Sequence, residues 1–191
     1  MTVLPVTICG EPVLHNRTEM VTEFDEDLQK LVADMYETMD EAHGVGIAAT
    51  QVGINKRLFT YDCGPDDDGN PRRGVVVNPT LTIGKISGAD PDPEDDLEGC
   101  LSFPGFMYPL RRADWVRVTG FDEKGAPLDF EATGFFARCM QHETDHLHGK
   151  LYVDRLNKKY AKKAAKDKKK SGWGVPGLTW MPGVDEDPFG H

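Results

Sequence analysis

The segment from about Gly134 to Leu147 constrains the fold most, because apolar and metal-binding side chain types share one face of a predicted helix. Four residues recur there at helical spacing: Phe135, Cys139, His142 and His146. Gly149 supplies a stop just past the end of this helix. Since that face carries reactive groups, we expect the helix to lie at the centre of the fold.

Other segments predict a second helix and several strands. Asp25 to His43 has apolar residues at helical spacing, with Asp25 as N-cap and Gly44 as stop. Strands are predicted at 57–61, at 75–77, after Trp115, and at 128–130 beyond a hairpin turn at 122–125. The expected fold class is α+β, with mostly antiparallel β-sheets packed around the central helix and the Asp25 to His43 helix outside.

The chain length of 191 residues fits one domain. We expect residues 1–155 to form the catalytic domain, with 66–73 and 87–96 as surface loops. Residues 156–191 would be a basic segment and a Gly- and Pro-containing tail that resists regular structure. Trp173, Trp180 and Met181 suggest that this tail packs on the same domain.

Charge and hydropathy limit the partners. The net charge is −10, yet residues 158–170 hold eight Lys and one Asp, or +7, which leaves −17 for the remainder. Binding of DNA by the main body is therefore disfavoured. No apolar run approaches the roughly 20 residues that span a membrane, and the N-terminus predicts neither secretion nor import, so a cytoplasmic location is expected.

His142-Glu143-Thr144-Asp145-His146 is an H-E-x-x-H motif on the central helix. A four-residue interval puts the two imidazoles on one side, where both can bind one metal ion. Glu143 between them can take a proton from water and return it to a leaving amine. The bare pattern fits equally a solvated helix that merely contains two histidines and two acids.

Cys100, within Glu98-Gly99-Cys100-Leu101-Ser102, is the candidate third ligand. One Cys with two His leaves a coordination position open, as catalytic metal sites require. A lone cysteine is otherwise more ordinarily a small buried hydrophobic residue. The two interpretations differ in whether Cys100 lies beside the H-E-x-x-H histidines.

The segment from Gly44 to Gly53 combines small residues with one amide side chain. Small residues let a substrate backbone approach closely, and Gln51 can donate from its amide nitrogen to a developing oxyanion. Taken alone, the segment is an ordinary glycine-rich loop.

Three segments together resemble the signature motifs of peptide deformylases. They are Gly44-Val45-Gly46-Ile47-Ala48-Ala49-Thr50-Gln51, Glu98-Gly99-Cys100-Leu101-Ser102 and Gln141-His142-Glu143-Thr144-Asp145-His146. The resemblance covers roughly residues 5 to 155, and the tail is similar to those of actinobacterial members. It implies a bacterial metal-dependent hydrolase that removes the N-formyl group from the formylmethionine of nascent polypeptides and releases formate.

The resemblance also implies residue roles. The implied metal ligands are Cys100, His142 and His146. The implied catalytic residues are Glu143 as general base and acid, and Gln51 with the backbone N–H of Leu101 as oxyanion donors. The expected cofactor is one divalent ion, Fe²⁺, for which Zn²⁺, Ni²⁺ or Co²⁺ are chemically acceptable substitutes.

Substrate binding is expected at the first and third motifs. An extended peptide would pair beside Val45 and Gly46, and an apolar pocket near Phe135 and Cys139 would take the methionine side chain. Phe135 and Cys139 are equally well explained as core residues, and the two roles are compatible. Arg138 departs from the aliphatic residue of many relatives, and its stem would line the pocket while its charge extends into water.

Two other functions fit parts of the sequence. A metallopeptidase of the H-E-x-x-H type would share Glu143 but would usually lack the cysteine ligand. A structural metal module would use four protein ligands, and its Lys158 to Lys170 tract would bind ribosomal RNA. In a deformylase the same tract is either a solvated segment or a docking element for the ribosome.

Overall fold

The computed structural model describes residues 2–190, within which three α-helices and nine strands are found. The helices are α1 (Glu26–Glu41), α2 (Gly134–Leu147) and α3 (Lys158–Lys170). The strands are β1 (Val6–Thr7), β2 (Gly46–Ala48), β3 (Leu58–Pro65), β4 (Pro71–Ile83), β5 (Leu97–Glu98), β6 (Tyr108–Pro109), β7 (Trp115–Phe121), β8 (Pro127–Thr133) and β9 (Thr179–Trp180). Within residues 2–190 no helix is both long and apolar enough to cross a membrane.

The largest sheet has five strands in the order β2-β3-β4-β7-β8, each antiparallel to its neighbours. Among residues 2–190, strand β2 is an edge strand that pairs only with β3, with Gly46 opposite Tyr61. Apolar residues of α2 share a core with this sheet: Ala137, Met140 and Leu147 pack with Phe59, Val76, Val116 and Val118. The predicted α+β class, with antiparallel sheets around a central helix, is confirmed.

Helix α2 has the bounds that its sequence period predicts. Its last two turns are buried on every side, from Cys139 to Leu147. Gly149 ends the helix with φ +70°, and a Cβ there would lie 2.7 Å from the backbone carbon of His15. Only glycine tolerates both the positive φ and the close contact with His15, and it lets the chain turn sharply after α2.

Helix α1 packs its apolar face into a second core and is capped as predicted, because Asp25 Oδ1 accepts from the Leu28 N–H at 2.9 Å. The helix ends just before the predicted stop, Gly44, and the left-handed residue there is His43, at φ 51°. The Gly44 N–H bonds to the carbonyl of Met39 and closes the helix end.

The hairpin turn at 122–125 and the loop at 87–96 are confirmed. The predicted loop at 66–73 is too long, because β3 runs to Pro65 and β4 begins at Pro71. The Asp66 carboxylate accepts from the backbone N–H groups of Asp68 and Asn70 and closes the turn locally. The polar composition of this segment therefore did not reveal the hairpin between β3 and β4.

The C-terminal segment returns across the body of the protein. Strand β9 pairs with β1, with Trp180 opposite Val6, so the tail contains regular structure that its Gly and Pro content did not predict. The buried Trp180 indole N–H donates to the Leu101 carbonyl at 2.9 Å. Trp173 packs edge-on against Phe103, with ring centroids 5.1 Å apart.

Candidate active site

Helix α2 and the segment after β5 bring three metal-ligand atoms together. The Nε2 atoms of His142 and His146 are 3.2 Å apart, and Cys100 Sγ lies 3.4 Å from His146 Nε2. One ligand atom from each residue lies within 4.8 Å of the other two, and all three residues are buried. The three predicted metal ligands therefore face a common point.

The chemistry and spacing of these atoms fit one divalent ion. Two ligand atoms at about 2.1 Å from a tetrahedral ion are themselves about 3.4 Å apart, and the observed separations of 3.2 and 3.4 Å are close to that value. Within residues 2–190 no fourth Cys, His, Asp or Glu joins the group. Three protein ligands leave a coordination position open, which is typical of a catalytic site.

Glu98 orients the first histidine. The His142 Nδ1–H donates to Glu98 Oε1 at 2.7 Å, which leaves Nε2 aimed at the other ligands. Arg112 and Arg138 also donate to this buried carboxylate, at 2.6 and 3.0 Å. Burial raises the pKa of Glu98, but the bonds from His142 and Arg112 outweigh burial and hold that pKa well below its ordinary value.

The two imidazoles differ in basicity. Burial lowers the pKa of His142, but the charges of Cys100 and Glu98 outweigh burial and raise it. Burial and the neighbouring His142 lower the pKa of His146. Because a metal ion binds neutral imidazole, metal uptake should displace a proton from His142.

A wider ion-pair network supports Glu98. Arg112 bridges from Glu98 to Asp145, with 2.6 Å between its Nη1 and Asp145 Oδ2. Arg138 Nη2 pairs with the buried Asp96 at 2.9 Å. The prediction that the charge of Arg138 extends into water is therefore wrong, since its guanidinium is bound between Asp96 and Glu98.

Glu143 shares the helix face with both histidines and is only 3% exposed. A Cβ at Gly46 would lie 2.5 Å from Glu143 Oε1, so glycine in β2 leaves room for the carboxyl. Burial raises the pKa of Glu143 to about 7 against the opposing charge of His142. A carboxyl with that pKa can both accept and donate a proton near neutrality.

Gln51 and Leu101 border the same point from outside α2. Gln51 Oε1 accepts from the Ala48 N–H at 2.8 Å, which turns its Nε2 toward Cys100 Sγ at 3.7 Å. Leu101 follows Cys100 in the chain, and its carbonyl is held by the indole of Trp180. The roles of Gln51 and the Leu101 N–H as oxyanion donors stay predictions. The positions of the two residues favour those roles.

A cleft of about 240 Å³ opens beside Glu143 and the ligands, and all four predicted substrate-binding residues line it: Val45, Gly46, Phe135 and Cys139. Val45 and Phe135 are exposed, whereas Cys139 is buried with its Sγ 3.5 Å from the Val45 carbonyl. The edge of β2 that has no strand partner in the described part of the chain borders this cleft. An extended peptide could therefore add to the sheet there.

Several residues at the site were missed by sequence reasoning. Glu98 lies in the second motif, where the sequence predicts no separate role for it, although an acid beside a metal-binding cysteine is a usable signal. Phe189 lines the cleft, and its ring carbon Cε1 would be 3.4 Å from a Cβ at Gly99. No local pattern links Gly99 to a residue so far along the chain.

The H-E-x-x-H helix, the cysteine beside it and the buried acid define a metal-dependent hydrolase. The family model for polypeptide deformylases matches residues 3–162. The chain belongs to the polypeptide deformylase family, whose members use a metal ion to remove the N-formyl group from nascent polypeptides.

Relatives agree with this membership along the whole chain. The peptide deformylase of Mycolicibacterium vanbaalenii is 55% identical over 197 residues and that of Rhodococcus opacus is 55% identical over 195 residues, each matching 100% of this chain and 99% or more of the relative. The crystal structure of the Ehrlichia chaffeensis peptide deformylase in complex with actinonin has a TM-score of 0.76 at 34% identity, covering 89% of this chain and 98% of that one. The predicted family and enzyme class are confirmed.

Proposed function

We propose that this chain removes the formyl group from the N-terminal formylmethionine of nascent polypeptides, with Cys100, His142 and His146 holding one divalent ion. The observation that carries this proposal is the convergence of one sulfur and two imidazole nitrogens beside the Glu143 carboxyl. When bound, the ion lowers the pKa of water and polarises the formyl carbonyl. We expect Fe²⁺, although a thiolate with two imidazoles also accepts Zn²⁺, Ni²⁺ or Co²⁺.

Glu143 is the proposed general base and acid. In the metal-free protein burial raises the pKa of its carboxyl to about 7, so burial favours the protonated form that the acid step needs. It takes a proton from the attacking water and delivers it to the amine as the C–N bond breaks. Its Oε2 is buried without a hydrogen-bond partner among residues 2–190, which leaves that atom available for the transfer.

Gln51 and the backbone N–H of Leu101 are the proposed donors to the negative charge that develops on the formyl oxygen. The Ala48 N–H donates to Gln51 Oε1 and fixes the amide of Gln51. The Trp180 indole holds the Leu101 carbonyl and so restrains the residue that carries the second donor. Donors that are already positioned in a buried site need no reorganisation during the reaction.

The substrate is proposed to bind as an extended strand along the free edge of β2. Val45 and Gly46 would supply backbone pairing, while Phe135 and Cys139 would contact the methionine side chain. A flexible thioether suits apolar surroundings of this kind. Substitution of the formyl-Met residue by a charged residue should therefore raise KM.

Formate release from formyl-Met-Ala by anaerobically prepared protein tests the proposed reaction. We expect formate release and no cleavage of casein, whereas the reverse pattern would favour a metallopeptidase.

Glu143→Gln should abolish turnover while the metal stays bound, and Cys100→Ser should lose the metal. Glu94→Gln, at an exposed loop residue, is the matched control and should change neither. Wild-type turnover in Glu143→Gln would remove Glu143 from the mechanism.

Inhibition by a peptide hydroxamate separates an enzyme from a structural metal module. A hydroxamate needs an open coordination position, which a site with four protein ligands lacks. We expect inhibition that depends on the metal. Failure of the hydroxamate to bind the metal-loaded protein would favour the structural module.

Helix α3 is proposed as a docking element for the ribosome. Asn157 caps it, and it packs through the buried Ala164 and a 2.7 Å bond between Asp167 and the Tyr108 hydroxyl. Seven of its eight lysines are exposed, which gives a dense positive surface that suits phosphate backbones.

Ribosome pelleting at increasing salt tests this docking. Lys159, Lys162 and Lys166 changed together to Gln should weaken pelleting and leave formyl-Met-Ala activity unchanged. The same change at Lys56, Lys85 and Lys124, which are exposed outside α3, is the control and should have little effect. Equal pelleting of the two variants would defeat the docking proposal.

We further propose that residues 1–155 form the catalytic domain, that 156–191 pack on it, and that the protein acts in the cytoplasm, where nascent chains emerge. The pairing of β1 with β9 supports the packing; residues 1 and 191 lie outside the described range. Removal of 172–191 should lower the urea midpoint of unfolding. An unchanged midpoint would contradict a packed tail.

A further inference from the structure

A second cleft, of about 550 Å³, lies on the far side of α2 from the candidate active site. The residues of the α2 segment that line it recur at helical spacing opposite the metal ligands: Gln141, Thr144, Asp145 and His148. Its formally charged groups are five arginines and one acid: Arg17, Arg57, Arg111, Arg112, Arg155 and Asp145. We call it the arginine cleft.

Three of these arginines are neutralised by carboxylates. The pairs are Arg112 with Asp145 and Glu98, Arg155 with Asp145, and Arg111 with Asp96. These pairs form one wall of the cleft. They also occupy Asp145, the acid that lines the cleft, so it has little capacity to neutralise the other two arginines.

Arg57 and Arg17 have no acidic partner among residues 2–190. The buried Arg57 guanidinium donates to the carbonyls of Leu147 and Pro79, at 3.4 and 3.2 Å, and lies 3.1 Å from the His148 ring nitrogen Nε2. Arg17 is exposed and has no hydrogen bond or ion pair among residues 2–190. Burial, with a smaller contribution from the charge of Arg17, lowers the pKa of Arg57. Uncompensated positive charge is thus concentrated here in a chain whose net charge is −10.

Two further hydrogen-bonding atoms of the cleft residues are unused. Thr144 Oγ1 is buried without a partner among the described residues, and so is Arg111 Nε. Thr144 is only 6% exposed and lines the cleft, so the cleft is the side from which a ligand can reach its hydroxyl. The cleft also has an apolar rim, where Ile83 and Ile86 are 51% and 50% exposed.

We propose that the arginine cleft binds a phosphate-bearing small molecule, with its phosphates at Arg17, Arg57 and Thr144 and an apolar or aromatic part against Ile83 and Ile86. Two guanidinium groups without acidic partners call for an anion with more than one charge, which a single carboxylate does not provide. Planar guanidinium forks match phosphate oxygens bidentately, and a hydroxyl adds a neutral donor. The concave shape and the burial of Arg57 favour a small ligand over the wide backbone of an RNA helix.

Isothermal titration of the metal-loaded protein tests this site, with inorganic pyrophosphate and adenosine diphosphate as probes. A saturating peptide hydroxamate keeps both probes from the metal. We expect one site per chain, tighter binding of adenosine diphosphate because of its ring, and weaker binding at higher salt.

Variants assign the binding to the cleft. Arg17→Glu, at an exposed residue without a partner, should weaken binding at least about tenfold, because it replaces an attractive contact by a repulsive one. Thr144→Val keeps the side-chain shape and should weaken binding less. Lys124→Glu, on the turn between β7 and β8, makes the same charge change elsewhere and should leave affinity unaltered.

Three results would overturn the proposal. The first is absence of binding of both probes at millimolar concentration. The second is an equal loss of affinity in Arg17→Glu and Lys124→Glu, which would show a general charge effect. The third is binding of an RNA oligonucleotide at Arg17 without binding of either small probe, which would assign the cleft to a nucleic acid partner.

Discussion

Replacing Glu143 by Gln in the metal-free protein should remove a pH-dependent cost of folding. The carboxyl is buried, and burial raises its pKa from 4.5 to about 7. Between these values the folded state holds a proton that the unfolded chain has released, so stability falls as pH rises. Each pKa unit corresponds to about 1.4 kcal/mol. From about pH 5.5 to about pH 8 the loss is therefore about 2 kcal/mol, and glutamine, which does not titrate, avoids it.

Urea unfolding of chelator-treated protein at both pH values measures this effect. At each pH the free energy of unfolding of the wild type is subtracted from that of the variant. This difference should be about 2 kcal/mol larger at the higher pH than at the lower pH. Glu94→Gln, at an exposed site, should show no such shift. A difference for Glu143→Gln that is the same at both pH values would refute the argument from burial.

Three further substitutions give separate checks. Gln51→Ala should lower kcat by about 10²–10³-fold with less effect on KM, since an oxyanion donor acts in the transition state; steady-state kinetics with unchanged kcat would exclude that role. Glu98→Gln should weaken metal affinity by about 10–100-fold, because His142 loses its charged acceptor; chelator competition that finds wild-type affinity would contradict this. Trp180→Phe loses the bond to the Leu101 carbonyl and should cost about 1 kcal/mol of unfolding free energy; an unchanged value from urea unfolding would show that the bond is not stabilising.

Elements specified by local pattern were predictable from the sequence. Helix α2 has the predicted bounds because its apolar spacing and the glycine at 149 both act within a few residues. Asp25 caps α1 for the same reason. The convergence of Cys100 with the two histidines was predictable only through the joint pattern of three motifs, since no local rule brings distant segments together.

The residues that support the metal ligands depend on tertiary contacts and were not predictable from the sequence. Arg138 reaches Asp96 and Glu98 across 42 and 40 positions, and its sequence neighbours give no sign of those partners. Trp180 and Phe189 reach the site because β9 pairs with β1. Each of these strands contributes only two residues to the pairing. Strands that short carry no usable period in the sequence.

X-ray absorption spectroscopy at the metal edge of anaerobically prepared protein tests the central claim most directly. A single ion held by Cys100, His142 and His146 predicts one sulfur and two imidazole nitrogens in the first coordination shell, with the remaining scatterers being light atoms. A first shell without sulfur, or one with four protein ligands and no exchangeable position, would contradict the proposed catalytic site.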